Sequence, residues 1–195
     1  MMDKRAARRA AFARIRSLGA ETKASHSAAI IDHLRTAPAF LESEAVFSYL
    51  AMSSEPDLDG LVTTNPEKSW GFSRVAEDGH RLAFHRYDGP DSLTRGEFGF
   101  LEPDPDACPE LRLPDLVLVP GVGFSPENRA RLGRGRGHYD RFLGPLRNKP
   151  NAPLVVGVCF SVQLMELDPE PHDVPMDALV TEKGWFPAVP KGEEK

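Results

Sequence analysis

The chain has 195 residues, of which 41% are hydrophobic and 27% are charged, and its formal net charge is -5. These values are typical of a soluble globular protein with one buried core, and the length leaves too little chain for two comfortable domains. The acidic balance argues against bulk binding to nucleic acid, and no apolar run approaches the ~20 residues of a membrane helix.

The N-terminal segment, residues 1–36, predicts two helices. Asp3–Ser17 is rich in alanine and arginine, which are good helix formers. A second helix is predicted from an N-cap at Thr22 to about Arg35, because Pro38 then interrupts the helical pattern.

The first predicted helix concentrates basic side chains on an otherwise acidic chain. The first sixteen residues hold six lysine or arginine residues and one acid, Asp3. Lys4 and Arg8 are four residues apart and therefore share a helix face, where a solvated basic surface is the ordinary outcome and an anionic ligand is the alternative. Phe12 and Ile15 predict a narrow apolar stripe. An organelle transit peptide is a further interpretation of this segment, although Asp3 interrupts it.

The first predicted strand, Glu44–Leu50, leads into a loop that carries a candidate carboxylate. The loop Ala51–Asp57 follows at the carboxyl end of the strand, where open α/β sheets bind their ligands. Glu55 therefore lies where a functional carboxylate is expected, although an acidic residue of a surface loop is the simpler interpretation.

A short helix and two more strands follow. The helix is predicted at Asp57–Thr64, and the strands at Ser69–Val75 and Arg81–Tyr87. The next segment, Gly96–Pro103, contains too many glycine and aromatic residues to predict a regular element. Its two phenylalanines more often fill a core than stack on a ligand.

The most informative stretch is Pro120–Arg141, with the sequence PGVGFSPENRARLGRGRGHYDR. It follows Leu116–Val119, an apolar run that predicts a strand buried in an α/β sheet. Glycine lets the backbone adopt positive φ, successive N–H groups form a concavity that suits an anion, and arginine binds phosphate oxygens two at a time. The glycines are Gly121, Gly123, Gly133, Gly135 and Gly137, and the arginines between them are Arg129, Arg131, Arg134 and Arg136.

This stretch is interpreted as a phosphate-binding loop that runs into a helix near His138–Leu143, whose N-terminus adds further donors. It contains neither a Walker A motif nor the dinucleotide fingerprint, so a mobile basic loop without a ligand is the alternative. Asp140 follows the loop directly, and a carboxylate that faces a polyphosphate normally needs Mg²⁺ between the two negative charges. The residues therefore favour a polyphosphate site that includes magnesium.

The remaining chain predicts the end of that helix and two further strands. The helix continues over Arg141–Leu146, and Leu154–Phe160 predicts a second fully buried strand. A helical turn is expected within Ser161–Leu167, and another strand at Ala178–Thr181. Residues 183–195 predict an exposed, flexible tail.

A proline-rich acidic loop, Asp168–Asp177, precedes the last predicted strand. Prolines preset the backbone and lower the entropy cost of holding a side chain in one place. His172 beside Asp173 suggests a transition-metal site, but no second histidine or cysteine lies at ligand spacing. His172 is therefore better interpreted as a hydrogen-bonded loop residue.

The two cysteines indicate the redox environment. Cys108 and Cys159 are far apart and match no C-x-x-C pattern. Together with the lack of an apolar leader segment, this favours a reducing cytoplasm over secretion.

Four patches in the right order resemble the 5-formyltetrahydrofolate cyclo-ligase family, also called methenyltetrahydrofolate synthetase, and the resemblance covers most of the chain. They are KRAAR at Lys4–Arg8, LAMSSE at Leu50–Glu55, PGVGF and RLGRGRGHYDRFL within Pro120–Leu143, and PEPHDVPMDALVTE at Pro169–Glu182. The resemblance implies one domain over residues 1–195, a three-layer α/β/α fold with a central mixed, largely parallel sheet.

The resemblance also implies the reaction. It is the ATP- and Mg²⁺-dependent closure of 5-formyltetrahydrofolate to 5,10-methenyltetrahydrofolate, with release of ADP and phosphate, through phosphorylation of the formyl oxygen. The implied partners are small molecules only, with a monomer in the cytoplasm and no nucleic acid or membrane.

The family's functional positions fall on a defined set of residues. The implied ATP-binding residues are Lys4, Arg8, Arg131, Leu132, Gly133, Arg134, Gly135, Arg136, Gly137, His138 and Tyr139. The implied folate-binding residues are Arg8, Glu55, Phe98, Arg134, Gly135, Arg136, Gly137 and His138. Asp140 and Asp173 take the magnesium-ligand positions, and Arg134, Arg136 and Tyr139 are the catalytic candidates. On this basis Asp140→Asn is expected to affect turnover far more than stability.

Three departures from the family pattern matter. Ala7 stands where a leucine is usual, the loop between Phe124 and Gly133 is one residue longer, and His138 replaces the first tyrosine of Tyr-Tyr-Asp. The histidine is the most consequential of these changes, because its charge varies near neutral pH.

Two other classes of function use some of the same residues. A sugar-phosphate isomerase or CoA-transferase-like enzyme has a similar scaffold and anion loop but needs no ATP. A non-catalytic nucleic-acid-binding module would combine Lys4–Arg16 with the arginine loop, and its binding would depend steeply on salt.

Overall fold

The computed structural model describes residues 3–76, 78–96 and 99–187. The helices are α1 (Lys4–Ser17), α2 (Ala20–Arg35), α3 (Pro38–Leu41), α4 (Asp59–Thr64) and α5 (His138–Arg147). The strands are β1 (Ala45–Ser48), β2 (Ser69–Val75), β3 (Leu82–Arg86), β4 (Leu93–Arg95), β5 (Leu101–Pro103), β6 (Glu110–Leu111), β7 (Leu116–Pro120), β8 (Gly123–Phe124), β9 (Arg131–Leu132), β10 (Leu154–Val158), β11 (Ala178–Thr181) and β12 (Gly184–Pro187).

Eight of the described strands form one mixed sheet in the order β12-β11-β10-β7-β1-β2-β3-β6. Neighbouring strands from β11 to β2 pair in parallel, and the antiparallel pairs lie at the two edges. The predicted mixed, largely parallel sheet is therefore confirmed. Because the carboxyl ends of parallel strands meet at one edge, the loops that follow β1, β7 and β10 converge there.

The sheet is buried on both faces. Along β7, Leu116 and Leu118 belong to the apolar cluster that contains Ile30 and Leu34 of α2. Val117 and Val119 belong to a second cluster, which contains Leu143 of α5. Successive side chains of a strand point to opposite faces, so the continuous apolar run is what a doubly covered strand requires.

Helix α1 lies apart from these two clusters, over the loops at the carboxyl edge. Its buried residue Ala7 packs with Ala130, Leu132 and Leu167. The Arg14 guanidinium donates to the carbonyls of Val162 and Leu164, each at 3.3 Å. The helix therefore closes one side of the region where the strands end.

Several boundaries differ from the sequence predictions. Helix α2 begins at Ala20 after an extended Gly19, so Thr22 is inside the helix and is not its N-cap. Pro38 follows the end of α2 as predicted, but it also begins α3, because a proline at the first helical position loses no hydrogen bond.

The flexible tail predicted from residue 183 is wrong for its first part. Gly184–Pro187 form β12, which pairs antiparallel with β11. The Trp185 indole donates to the carbonyl of His33 at 3.2 Å, so a side chain from this strand contacts α2. Residues 188–195 lie outside the described residues.

Two further segments differ from expectation. Part of Gly96–Pro103, predicted to be irregular, forms β5, which pairs with β4 as a small hairpin. The stretch after β7 does not pass directly into the arginine loop, because β8 and β9 form a hairpin first. None of the described helices combines the length and the apolar content that crossing a membrane requires.

Candidate active site

A cavity of about 520 Å³ opens at the carboxyl edge of the parallel strands. Its walls come from α1, from the loops after β1 and β7, and from residues 131–140. This volume is in the range of small-molecule sites. All the predicted site residues that the structure describes line this one cavity. Phe98, the predicted aromatic partner of the folate, lies outside the described residues.

Lys4 binds two acidic side chains of the proline-rich loop. Its ammonium lies 3.0 Å from Asp173 Oδ2 and 3.1 Å from Glu170 Oε2. Burial alone would raise the pKa of the Asp173 carboxyl, but the Glu170 backbone N–H and the Lys4 ammonium outweigh burial and hold this pKa below its usual value. Asp173 is therefore a carboxylate at neutral pH.

The glycine loop between β9 and α5 is shaped by positive φ angles. Gly135 has φ +102° and Gly137 has φ +66°, both in the region that side chains disfavour. Arg8 Nε donates to the carbonyl of Gly133 at 2.8 Å, which fastens α1 to this loop. Residues 133–137 thus form a turn against the cavity, and α5 begins directly after it.

Arg131 is buried in a polar and aromatic cluster. Its side chain is 6% exposed, and its guanidinium lies 2.9 Å from Asp140 Oδ2. The same guanidinium lies 5.2 Å from the centre of the Tyr139 ring, within range of a cation–π contact. Asp140 Oδ1 also accepts from the backbone N–H of Val174 at 3.2 Å. The two predicted magnesium ligands, Asp140 and Asp173, therefore lie on adjoining parts of the cavity wall.

Tyr139 is partly buried, and its hydroxyl oxygen is fully buried. Burial raises the pKa of its hydroxyl, and the neighbouring Ser73 and Arg131 only partly oppose that shift. The hydroxyl therefore stays protonated at neutral pH. It can orient a ligand by a hydrogen bond, but a phenolate base is unavailable here.

Arg134 bridges the cavity to the loop after β1. Its guanidinium donates to Ser54 Oγ at 2.8 Å and to Glu55 Oε1 at 3.1 Å. The Glu55 side chain is 8% exposed, and its other oxygen accepts from the backbone N–H of Met52 at 3.0 Å. Arg134, which is predicted to bind both substrates, is thus in direct contact with Glu55, which is predicted to bind the folate.

His138 stands at the first position of α5, against the loop after β2. Its Nε2 lies 3.2 Å from the carbonyl of Gly79. Burial lowers the pKa of His138. The Gly79 carbonyl opposes this shift, whereas the guanidinium groups of Arg141 and Arg136 reinforce it. The neutral imidazole is therefore favoured at neutral pH.

This pKa shift predicts an effect of acid on stability. The folded state resists protonation of His138, so the unfolded state binds more protons as the pH falls below about 6.5 and stability is lost. We expect His138→Gln to lose less thermal stability than the unmodified protein between about pH 7.5 and about pH 5.5. Thermal unfolding at the two pH values measures this. His172→Gln, with a ring that is 71% exposed, is the control. Equal losses in His138→Gln and the unmodified protein would contradict the assignment.

The carboxylates of the cavity wall form a donor set that suits magnesium. Asp140 and Asp173 supply the carboxylate oxygens that this hard cation prefers, and magnesium usually binds through one or two carboxylates together with substrate phosphates. Three carboxylates, those of Asp140, Asp173 and Glu170, face two cationic side chains, Arg131 and Lys4. The carboxylate oxygens of Asp140 and Asp173 therefore fit the ion.

Among the described residues, the group with three donors close enough to share an ion is Glu170, His172 and Asp173. His172 Nε2 lies 3.4 Å from Glu170 Oε2, so the histidine contacts acidic neighbours, as a loop hydrogen-bonding residue would. Lys4 already lies between the two carboxylates of this group. The group alone therefore gives no sign of a separate transition-metal site.

The longer loop over residues 125–130 is fastened away from the cavity. Ser125 N donates to the carbonyl of Ala130 at 2.9 Å, and Asn128 Nδ2 donates to the carbonyl of Leu167 at 2.8 Å. Met176 N donates to the carbonyl of Arg129 at 3.1 Å. The described residues of this loop do not line the cavity, so the extra length is used in packing at its rear.

Several cavity residues were missed by sequence reasoning. They are Tyr49, Leu50, Met52, Ser73, Val75, Leu82, Phe100, Leu101, Glu102, Glu170 and His172. For Leu50 and Met52 a signal existed, because they precede Glu55 in the loop after β1. Glu102 gave no signal, since it is nearly buried next to Arg74, and that neighbour is known only from the fold.

Comparisons with known proteins agree with this geometry. The model of the 5-formyltetrahydrofolate cyclo-ligase family matches residues 1–182. A 5-formyltetrahydrofolate cyclo-ligase of Mycolicibacterium smegmatis is 37% identical over 158 residues, which cover 76% of this chain and 79% of that protein. The enzyme of the same name from Saccharomyces cerevisiae is 36% identical over 124 residues, and the match spans 58% of the chain and 58% of that protein. The NMR structure of Aquifex aeolicus 5,10-methenyltetrahydrofolate synthetase superposes with a TM-score of 0.80 and 32% identity, and the superposition covers 96% of this chain and 94% of that one.

Proposed function

The chain belongs to the 5-formyltetrahydrofolate cyclo-ligase family, and we propose that its cavity closes the ring of 5-formyltetrahydrofolate to 5,10-methenyltetrahydrofolate at the expense of Mg·ATP. One observation carries the proposal. A phosphate-type glycine and arginine loop, two carboxylates suited to magnesium and a buried glutamate all face the same cavity of about 520 Å³. The alternatives, a sugar-phosphate isomerase or CoA-transferase-like enzyme and a nucleic-acid-binding module, are not favoured for a member of this family.

The chemistry explains why a nucleotide is needed. N10 of the folate attacks the carbon of the N5-formyl group, and the formyl oxygen must then leave. An amide oxygen is a poor leaving group, whereas the same oxygen after transfer of the γ-phosphoryl group leaves as phosphate. N10 gives up its proton in the process, and ADP and phosphate are the other products. Phosphoryl transfer requires positioning and charge neutralisation from the protein, with little covalent help.

The loop over residues 133–137 is proposed to hold the phosphates. Gly135 and Gly137 have positive φ angles, which suit an anion-binding turn, and the N-terminus of α5 adds the favourable end of a helix dipole. Arg136 and Arg134 bring positive charge to the same place. Lys4 and Arg8 approach from α1, so the nucleotide would lie between α1 and the loop.

Asp140 and Asp173 are the residues that would hold magnesium. The bound ion supplies neutralisation of phosphate charge. The side chains of Arg131 and Lys4 hold the two carboxylates in place from behind. These contacts keep both carboxylates oriented, which is the contribution of this chain to the ion site.

The folate is proposed to occupy the part of the cavity near Glu55. The carboxylate of Glu55 is fixed by Met52 N and Arg134, so it can accept a hydrogen bond from the pterin without reorganising. Leu50 and Leu101 provide apolar wall for a flat ring. Tyr139, which stays protonated, is proposed to orient a substrate oxygen and not to remove a proton.

The experiment mixes the purified protein, Mg·ATP and 5-formyltetrahydrofolate and follows the near-ultraviolet absorbance of the methenyl product. Omission of ATP and, separately, removal of magnesium with a chelator are the controls. Product formation that needs both supports the proposal. No product in the complete mixture, or the same rate without ATP, would reject it.

The proposal also includes the cellular compartment and the oligomeric state of the enzyme. Both free cysteines, Cys108 and Cys159, are buried, and a reducing cytoplasm suits free thiols. The substrates are small molecules, and a monomer is sufficient because the described cavity is built from one chain. Sedimentation analysis of the active protein tests the monomer.

A further inference from the structure

Phe12 occupies an unusual position on α1. With Lys4 and Arg8 it forms a row of residues spaced by four, which lies along one side of a helix. The first two members of the row line the cavity. Phe12 is only partly buried, and it belongs to none of the three buried apolar clusters found among the described residues. Its place on the helix is therefore not explained by packing of the core.

The ring of Phe12 instead contacts Arg134. The guanidinium carbon of Arg134 lies 5.5 Å from the ring centre, within range of a cation–π contact. The same guanidinium donates to Ser54 Oγ and Glu55 Oε1. Arg134 thus touches α1 through a ring face and the loop after β1 through two oxygens, while its own backbone belongs to the glycine loop.

We infer that Phe12 and Ser54 are positioning residues, which together with Glu55 hold the Arg134 guanidinium across the cavity mouth in the orientation that the reaction uses. The inference rests on the proposed function, in which Arg134 faces both the phosphates and the folate.

The physical reason is the flexibility of arginine. The Arg134 side chain is 43% exposed, and a free arginine at such a site would sample many rotamers. Fixing it on substrate binding would cost side-chain conformational entropy. The Phe12 ring and the two oxygen acceptors already hold the guanidinium in the free protein. Less side-chain entropy is therefore lost when the substrates bind. The contacts also connect α1 to the loop after β1. The connection runs through the Arg134 side chain, since Phe12 contacts one side of it and the loop contacts the other.

The test compares two substitutions of Phe12. Phe12→Leu keeps an apolar side chain but removes the ring face, and it is expected to lower kcat/KM by about 2- to 30-fold, the range that corresponds to a cation–π contact. Phe12→Tyr keeps the ring face and is expected to retain the unmodified value within about 2-fold. Equal losses in the two variants, or no loss in Phe12→Leu, would overturn the inference.

A double-mutant cycle with Arg134→Met separates positioning from packing. If Phe12 acts through Arg134, Phe12→Leu has no further effect on kcat/KM once Arg134 is replaced. The matched control is Ile15→Val on the same helix, where a fully buried side chain is trimmed and the effect should be additive with Arg134→Met. An additive effect of Phe12→Leu would overturn the inference.

A readout without turnover keeps the two proposals distinguishable. The affinity for Mg·ATP, measured by calorimetry on the same variants, is expected to show the same non-additivity between positions 12 and 134. If the unmodified protein binds Mg·ATP but forms no methenyl product, the proposed function fails while the coupling is still decided by the nucleotide affinities. If the protein is active and the affinities and rates are additive, the inference about Phe12 fails alone.

Discussion

Replacing Arg136 with alanine is expected to lower kcat by about 10³-fold or more, while thermal unfolding changes little. The side chain is exposed and lines the cavity beside the start of α5, where the γ-phosphoryl group would be transferred. An arginine that neutralises the charge of that transition state contributes on the order of 10³ to 10⁵ in rate. Because the residue is exposed, its loss leaves no cavity in the core.

Arg136 is assigned this role from its position. Its side chain lines the cavity, and α5 begins two residues later. Burial and the Arg141 guanidinium lower the pKa of His138, and the positive charge of Arg136 lowers it further. Positive charge at position 136 thus reaches the first turn of α5, where the phosphates are proposed to bind.

Single-turnover kinetics under saturating Mg·ATP measures this prediction, because it separates the chemical step from binding. Arg112→Ala is the matched control, since this arginine is 80% exposed, lies near Glu110 and does not line the cavity. Arg136→Lys should recover part of the rate, because it restores the charge without the planar fork. A loss in Arg136→Ala of less than about 10-fold, or an equal loss in Arg112→Ala, would remove Arg136 from the chemical step.

The sequence was sufficient to predict part of the cavity wall. The run Leu116–Val119 is apolar at every position, so it had to be buried on both faces and to lie within the sheet. Glycine and arginine alternate only after β9, and Glu55 follows a strand, so these residues belong to the edge where the strands end. Such predictions succeed because periodicity and strand direction determine which edge a loop lies on.

The pairing of charges within the cavity could not be predicted in the same way. Arg131 lies nine positions before Asp140 in sequence, but Arg134 and Glu55 are far apart, as are Lys4 and Asp173. Which arginine meets which carboxylate depends on distances set by the tertiary fold. The role expected for Arg131 changes as a result, because a guanidinium that is 6% exposed and bound to Asp140 has little surface left for a nucleotide.

Edge elements were also beyond sequence reasoning. The segment Gly184–Pro187 has a glycine and a proline, which usually mark loops, and it became a strand because β11 offered an unpaired edge. The hairpin of β4 and β5 is similarly fixed by pairing with each other. Local composition is a weak guide wherever a neighbouring strand supplies the hydrogen bonds.

The ion pair between Arg131 and Asp140 changes what is expected of Asp140→Asn. From the sequence, this substitution should affect turnover far more than stability. In the structure the two side chains are 6% and 14% exposed, so the substitution leaves a buried guanidinium without its counter-charge. Breaking a buried pair in this way costs about 3–5 kcal/mol. We therefore expect Asp140→Asn to lower kcat by about 10²- to 10³-fold and to lower the free energy of unfolding as well.

Asp173→Asn is the informative comparison. Its partner Lys4 is 32% exposed, so the pair is partly screened by solvent and contributes about 1 kcal/mol or less. If both carboxylates hold magnesium, the two variants should lose turnover to a similar extent and differ mainly in stability. Urea unfolding and steady-state kinetics over a range of magnesium concentrations measure the two effects separately. Turnover close to that of the unmodified protein in either variant would remove that residue from the metal site.

The double variant Arg131→Met with Asp140→Asn distinguishes the two roles of Asp140. Replacing both partners of a buried pair with uncharged groups removes the stranded charge, so much of the stability lost in Asp140→Asn should return. Turnover should remain low, because the metal ligand is still missing. If turnover returned together with stability, the loss in Asp140→Asn would have come from misfolding around Arg131, and Asp140 would be a structural partner of that arginine and no ligand of the ion.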